Sequence, residues 1–244
     1  MKNSDSNGLR RTPLYAAMVI LLGLLGGCSS SSSSGPQDQS DQFNSFMQGL
    51  LGDLHLGGHK ESVVTEAQNL FDVTDPDVQR EAIAWMADQS YGHTAPYMKA
   101  YELAATGASS PLVQGQAMIA LGTSGDPSTA MTLVTGLGSD SSFVRMCSAM
   151  GLTYINNPLV IPALIDHLQH DPDSQVRIYC AQALKPYKTR EVITTLIDTL
   201  DDQNVAVVQF AWDDLTAQTG QNLSSDDSDA WRAWFSAHQN QYTG

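Results

Sequence analysis

His167 and His170 stand three residues apart beside Asp171 and Asp173, side chains of types that ligate metals. Zinc could use such a set if a third ligand came from elsewhere in the fold. Histidines in the last turn of a helix are equally at home beside its negative dipole end without any metal, and that is the role the spacing predicts here. His55 and His59 are four apart, but Gly57 and Gly58 between them deny a rigid helical pair. The serines form no nucleophile elbow, no glycine-rich phosphate loop has a recognised spacing, and no Cys-x-x-Cys occurs. The residues therefore predict no catalysis, no metal and no cofactor.

Charge narrows the class of partner. The 244 residues carry 12 basic and 26 acidic side chains, a net charge of −14, with an ordinary 42% of hydrophobic residues. Without residues 1–27, which hold Lys2, Asp5, Arg10 and Arg11, 9 basic face 25 acidic residues and the net charge is −16. Such a chain repels nucleic acid and anionic lipid surfaces. The carboxylates are spread along the sequence, which also keeps the protein soluble.

The elements that must position these residues come from a repeat. A Val is followed by small or apolar residues at +4, +5 and +8, at Val78, Val113, Val144, Val176 and Val207, with steps of 35, 31, 32 and 31. A fixed period of this length marks stacked helix pairs, each able to bury its apolar face only against its neighbours. First helices are predicted at 62–72, 94–106, 127–137, 158–169 and 190–200, each followed by a second helix carrying the Val pattern. Asp126-Pro127, Asn157-Pro158, Thr189 and Ala95-Pro96 open first helices; Asp75-Pro76, Asp171-Pro172, Asp140 and Asp202 are read as opening second helices. The aspartates are thus expected to be caps, because no repeat supplies the carboxylate spacing and glycine turn of a calcium loop.

Asp173-Ser174-Gln175-Val176-Arg177-Ile178-Tyr179-Cys180-Ala181-Gln182-Ala183-Leu184 resembles the second helix of HEAT repeats, in particular the short bacterial kind called PBS-lyase HEAT-like. Asp140 to Leu152 is similar, with Val144-Arg145, whereas Gln79, Gln114 and Val208 replace the Arg elsewhere, which argues against a continuous arginine ladder. The resemblance covers roughly 62–217. It implies an all-α solenoid of about five helix pairs acting as a protein-binding or scaffold module. Its bilin-lyase relatives imply an alternative, an accessory or lyase-like enzyme; a metal-binding envelope protein centred on His167 and His170 is a third reading.

The ends read differently. Lys2, Arg10 and Arg11 precede an apolar stretch from Leu14 to Leu25, too short to span a bilayer and right for a secretory leader. It ends in Leu25-Gly26-Gly27-Cys28, which resembles the lipobox of bacterial lipoproteins. The resemblance implies cleavage of a 1–27 signal peptide, palmitate-type acylation of Cys28 and, with Ser29 and not Asp following, an outer-membrane anchor facing the periplasm. A Ser-rich tether, 28–41, is expected to be disordered. Phe43, Phe46, Met47, Leu50, Leu51 and Leu54 make 42–61 an amphipathic capping segment. At the other end, 218–244 holds Trp231, Trp234 and Phe235, a short helix suited to closing the last apolar face.

Two expectations depend on the helical register. Cys147 and Cys180 fall on neighbouring second helices, whose axes lie about 8–10 Å apart, while a disulfide needs Cα atoms within roughly 7 Å; two buried free thiols follow. At 100° per residue, Ile119, Met146, Met150, Ile178, Tyr179 and Phe210 turn away from the stack or lie on its flank. A solvated face would carry charge there, so these six are either the candidate partner-binding strip or a surface covered by the curve of a small solenoid or by the 43–54 helix.

Overall fold

A computed structural model describes residues 60–242 apart from 71 and 73. The leader, Cys28, the tether, most of the 42–61 segment, His55 and His59 lie outside the described residues. The described residues form five helix pairs: α1 (Lys60–Asn69) with α2 (Pro76–Ala87), α3 (Ala95–Gly107) with α4 (Pro111–Thr123), α5 (Ala130–Leu137) with α6 (Ser142–Leu152), α7 (Ile161–His170) with α8 (Ser174–Leu184), and α9 (Arg190–Thr199) with α10 (Val205–Thr219). Single turns of tighter helix, Pro127–Thr129 and Pro158–Val160, lead into α5 and α7. A last helix, α11 (Ser228–His238), follows.

The second helices pack in sequence order, α2 on α4, α4 on α6, α6 on α8 and α8 on α10, while α3, α5, α7 and α9 form the other layer. The core is the seam between the layers. All but two positions of the Val pattern are buried; Val78, near the start, and Trp212, whose indole Nε1–H donates to the Leu223 carbonyl at 2.6 Å, are half-buried. Because +4 and +5 hold mostly small residues, neighbouring helices approach closely. A Cβ added to Gly122 would stand 2.3 Å from Cα of Gly151, so α4 and α6 meet there backbone to backbone. Cys147 and Cys180 are both buried and unpaired.

The caps differ from expectation in one respect. Asp75, Asp126, Asn157 and Thr189 each accept a backbone N–H at the start of their helix. The true N-caps of α6, α8 and α10 are Ser141, Asp173 and Asn204, one or two residues beyond the predicted Asp140, Asp171 and Asp202. Asp171 and Asp202 are released from capping and take part in contacts between repeats.

Packed on α9, α11 extends the first-helix layer and closes the C-terminal end. Trp231 is fully buried with its Nε1–H donating to the Ser224 carbonyl at 2.9 Å, and Phe235 is buried beside it. Trp234 is half-buried and stacks on His238, with centroids 4.7 Å apart. Arg232 reaches back to Asp198 at 3.3 Å and Asp201 at 2.7 Å.

Candidate functional site

Two edges and one face of the stack carry polar or exposed features beyond ordinary helix packing. On the edge formed by the turns within each pair, Arg145 donates to Asp171 through Nε at 2.8 Å and Nη2 at 3.0 Å, and Arg177 donates to Asp202 at 2.8 and 2.9 Å. Each guanidinium also donates from Nη1 to its own turn, at Ser139 and Asp171 carbonyls, at 3.0 and 2.9 Å. Such forks are planar and directional, so they set the rotation of one repeat on the next. Burial alone would raise the Asp171 carboxyl, but the bonds from Arg145, the Asp173 N–H and His167 outweigh it and hold the group below the usual carboxylate range.

Where Gln replaces Arg, half of this device survives. Gln114 donates to the Ala108 carbonyl at 2.7 Å and Gln79 to the Leu70 carbonyl at 3.0 Å, closing their own turns. Neither amide bonds to the following repeat, so among the described residues the ladder has two rungs, as the missing arginines imply. The opposite edge is tied by Tyr187, whose hydroxyl accepts from the Asn157 N–H at 2.9 Å, and by Asn157, which donates to the Pro127 carbonyl at 3.3 Å.

The histidines border a shallow open cleft of about 260 Å³ between α5, α6 and α7, lined by Leu137, Ser139, Arg145, Asp166, His167, His170 and Asp171. Nδ1 of His167 lies 3.0 Å from Asp171 Oδ2; a carboxylate paired with arginine can only accept, so the proton sits on Nδ1. His170 faces Asp166 at 3.2 Å, with both side chains exposed. Each histidine is therefore turned to a different carboxylate. Among the described residues no group of three or more His, Cys, Asp or Glu could hold a metal ion.

The third feature is the outer face of the second-helix layer. Ile178 is buried at 6% exposure, and Ile119, Met146, Met150, Tyr179 and Phe210 are half-buried; all but Met150 pack against the core. More open apolar groups flank them. Phe143 is 38% exposed, Leu112 48% and Tyr154 56%. Along α6, Phe143, Met146 and Met150 fall within roughly 60° of arc, one continuous row, and Tyr154 stands in the turn that follows the helix. The row joins α4, because a Cβ on Gly115 would stand 2.5 Å from Phe143 Cε1: the ring lies across the bare backbone of α4. The corresponding row of α8 is Gln175, Ile178, Gln182 and Pro186, and that of α10 includes Gln209 and Asp213, so the apolar character is specific to the middle of the stack. Phe143 and Tyr154 stand at −1 and +10 of the Val pattern, positions the strip derived from +2, +3 and +6 passes over.

Two layers of antiparallel pairs, a common apolar seam and directional contacts between successive pairs define an all-α solenoid of HEAT-like repeats. Residues 101–185, from Tyr101 in α3 to Lys185 at the end of α8, match the family model for HEAT repeats. No curated protein matches the chain. The matched segment contains the α6 row and Arg145, Asp171 and Arg177. HEAT repeats are consistent with a protein-interaction or scaffold module.

Proposed function

We propose that this protein is a non-catalytic scaffold, held to the envelope by lipid on Cys28, which binds a protein partner on the outer face of its second helices. The observation that carries the reading is the row Phe143, Met146, Met150 and Tyr154. A helix face that only met water would not keep three large apolar side chains in register and follow them with a fourth, Phe143 and Tyr154 among them being more than a third exposed. Met and aromatic residues supply adaptable contact area of the kind enriched in the centres of interfaces. The leader and the Gly26-Gly27-Cys28 sequence support anchoring, with the periplasmic face of the outer membrane as the location.

The double substitution Met150→Asp with Tyr179→Asp is expected to abolish co-purification of the partner after crosslinking in intact cells while helicity is retained. Unchanged capture sinks the binding face. For the anchor, a Cys28→Ala chain is expected to leave the membrane fraction, and continued fractionation with membranes refutes lipidation at that residue.

A further inference from the structure

Resting on that reading, we infer that the partner segment docked on α6 is a cationic amphipathic helix. Its apolar side would meet Phe143, Met150 and Tyr154, and its basic side chains the acidic edge at Asp140 and Asp173.

The apolar row begins at that edge. Phe143 follows Asp140 by three residues, and Arg145, two residues further on, lies in the field of Asp140, Asp171 and Asp173 together. Arg177 lies in the field of Asp171, Asp173 and Asp202. Two guanidiniums therefore stand among four carboxylates. Both are spent on the forks to Asp171 and Asp202, with side chains only 13% and 14% exposed. Asp140 is exposed and Asp173 half-buried, and among the described residues neither is in a salt bridge. The edge therefore carries net negative charge that its own arginines cannot reach outward to neutralise.

Length selects the form of the occupant. Seven residues of rise separate Phe143 from Met150 along α6, about 10 Å, which is two turns of a facing helix, and Tyr154 in the turn beyond extends the apolar surface. A charged edge beside an apolar row is how such a face discriminates among helices, and the sign of the edge decides which charge is admitted. An acidic rim also opposes an anionic lipid surface, and it opposes a second copy of this chain, whose net charge is −14.

The test uses the full chain and synthetic helical peptides of about 18 residues: a Leu/Lys amphipath, its Leu/Glu counterpart and a scrambled Leu/Lys control, with affinities read by calorimetry. The Leu/Lys peptide is expected to bind about tenfold or more tightly than the other two, with the margin shrinking as salt rises from about 0.05 to about 0.5 M. Asp140→Asn with Asp173→Asn, which keeps an amide cap on α8, is expected to remove the preference for Lys over Glu. Met150→Asp with Tyr154→Asp is expected to remove binding of the amphipath itself. Equal binding of the Lys and Glu amphipaths overturns the cationic class while leaving the protein-binding reading intact. Binding of neither amphipath overturns the helical occupant, and the crosslinking experiment then decides the broader reading separately. Tighter binding of a peptide of residues 42–56 of this chain, co-sedimentation with phosphatidylglycerol vesicles, or self-association lost on Tyr154→Asp would each assign the face to another occupant and overturn the inference.

Discussion

Arg145 holds Asp171 through two parallel N–H···O bonds of 2.8 and 3.0 Å across 26 residues of sequence, and the same carboxylate receives His167 at 3.0 Å. One Asp thereby ties α6 to the α7–α8 turn. The Asp171 side chain is only 1% exposed, so its charge depends on these partners.

Removal of that dependence sets the first prediction. Arg145→Ala leaves a buried carboxylate without its fork and is expected to cost about 3–5 kcal/mol, read by urea unfolding; a loss under about 1 kcal/mol would show that the fork is not stabilising. The Asp171 carboxyl is held below its ordinary value when folded, so its contribution is present above the unfolded carboxyl pKa of about 3.9. It is lost as pH falls through the lower, folded value.

Asp214 carries the opposite sign. Burial pushes its carboxyl up to about 6 against the pull of Lys185, which lies 3.4 Å from Oδ1, and Oδ2 has no partner. A raised carboxyl contributes stability below its unfolded pKa and loses it as pH rises through about 6. Asp214→Asn is expected to stabilise the fold at pH 7.5 by about 1–3 kcal/mol and to make no difference near pH 4. Melting curves at the two pH values decide it, and a destabilised variant at pH 7.5 would refute the sign.

Gly122→Ala tests the backbone contact between α4 and α6. Its Cβ would fall 2.3 Å from Gly151 Cα and 2.5 Å from the Gly151 carbonyl oxygen, neither of which can swing aside. The expected loss is about 1–3 kcal/mol. Gly107→Ala, with nothing within 4 Å of the added Cβ, serves as the control and should lose nothing.

Trp231→Ala tests the C-terminal closure. The indole is fully buried under the end of the stack, and its removal is expected to cost about 3–5 kcal/mol. Arg232→Ala breaks only exposed pairs and is expected to cost under about 1 kcal/mol. Guanidinium unfolding of the two variants should separate them clearly; equal losses would mean that the indole closes the stack no more than the charged contacts do.

Cys147 supplies a kinetic test. Burial pushes its thiol up to about 12, so thiol-disulfide reagents at pH 8 should label neither Cys147 nor Cys180 until the chain unfolds. Rapid labelling of Cys147 or Cys180 in a folded Cys28→Ser chain would contradict the closed core.

The helix pairs were legible because their signals are local. Val144, Ser148, Ala149 and Leu152 meet the same neighbour whenever the segment is helical, and 100° per residue puts them on one side without reference to the rest of the chain. Asp126 and Asn157 also work locally, each capping through the N–H two residues on. The same rule misplaced Asp171 and Asp202. Both look like caps beside a proline or a turn, but the caps are Asp173 and Asn204, and nothing within a turn's length announces partners 25 or 26 residues earlier.

By itself, the sequence determined the period, the element order, the buried side of each second helix and the two places where an arginine could reach forward, since all four follow from residue type and helical spacing. Only the tertiary structure decided how one pair rotates on the next. That angle brings Arg145 to Asp171, lets Gly122 touch Gly151 and lays Phe143 across Gly115. Rotation between repeats is the joint result of many side-chain volumes and two bidentate forks acting across a seam, and no spacing along a single helix encodes it.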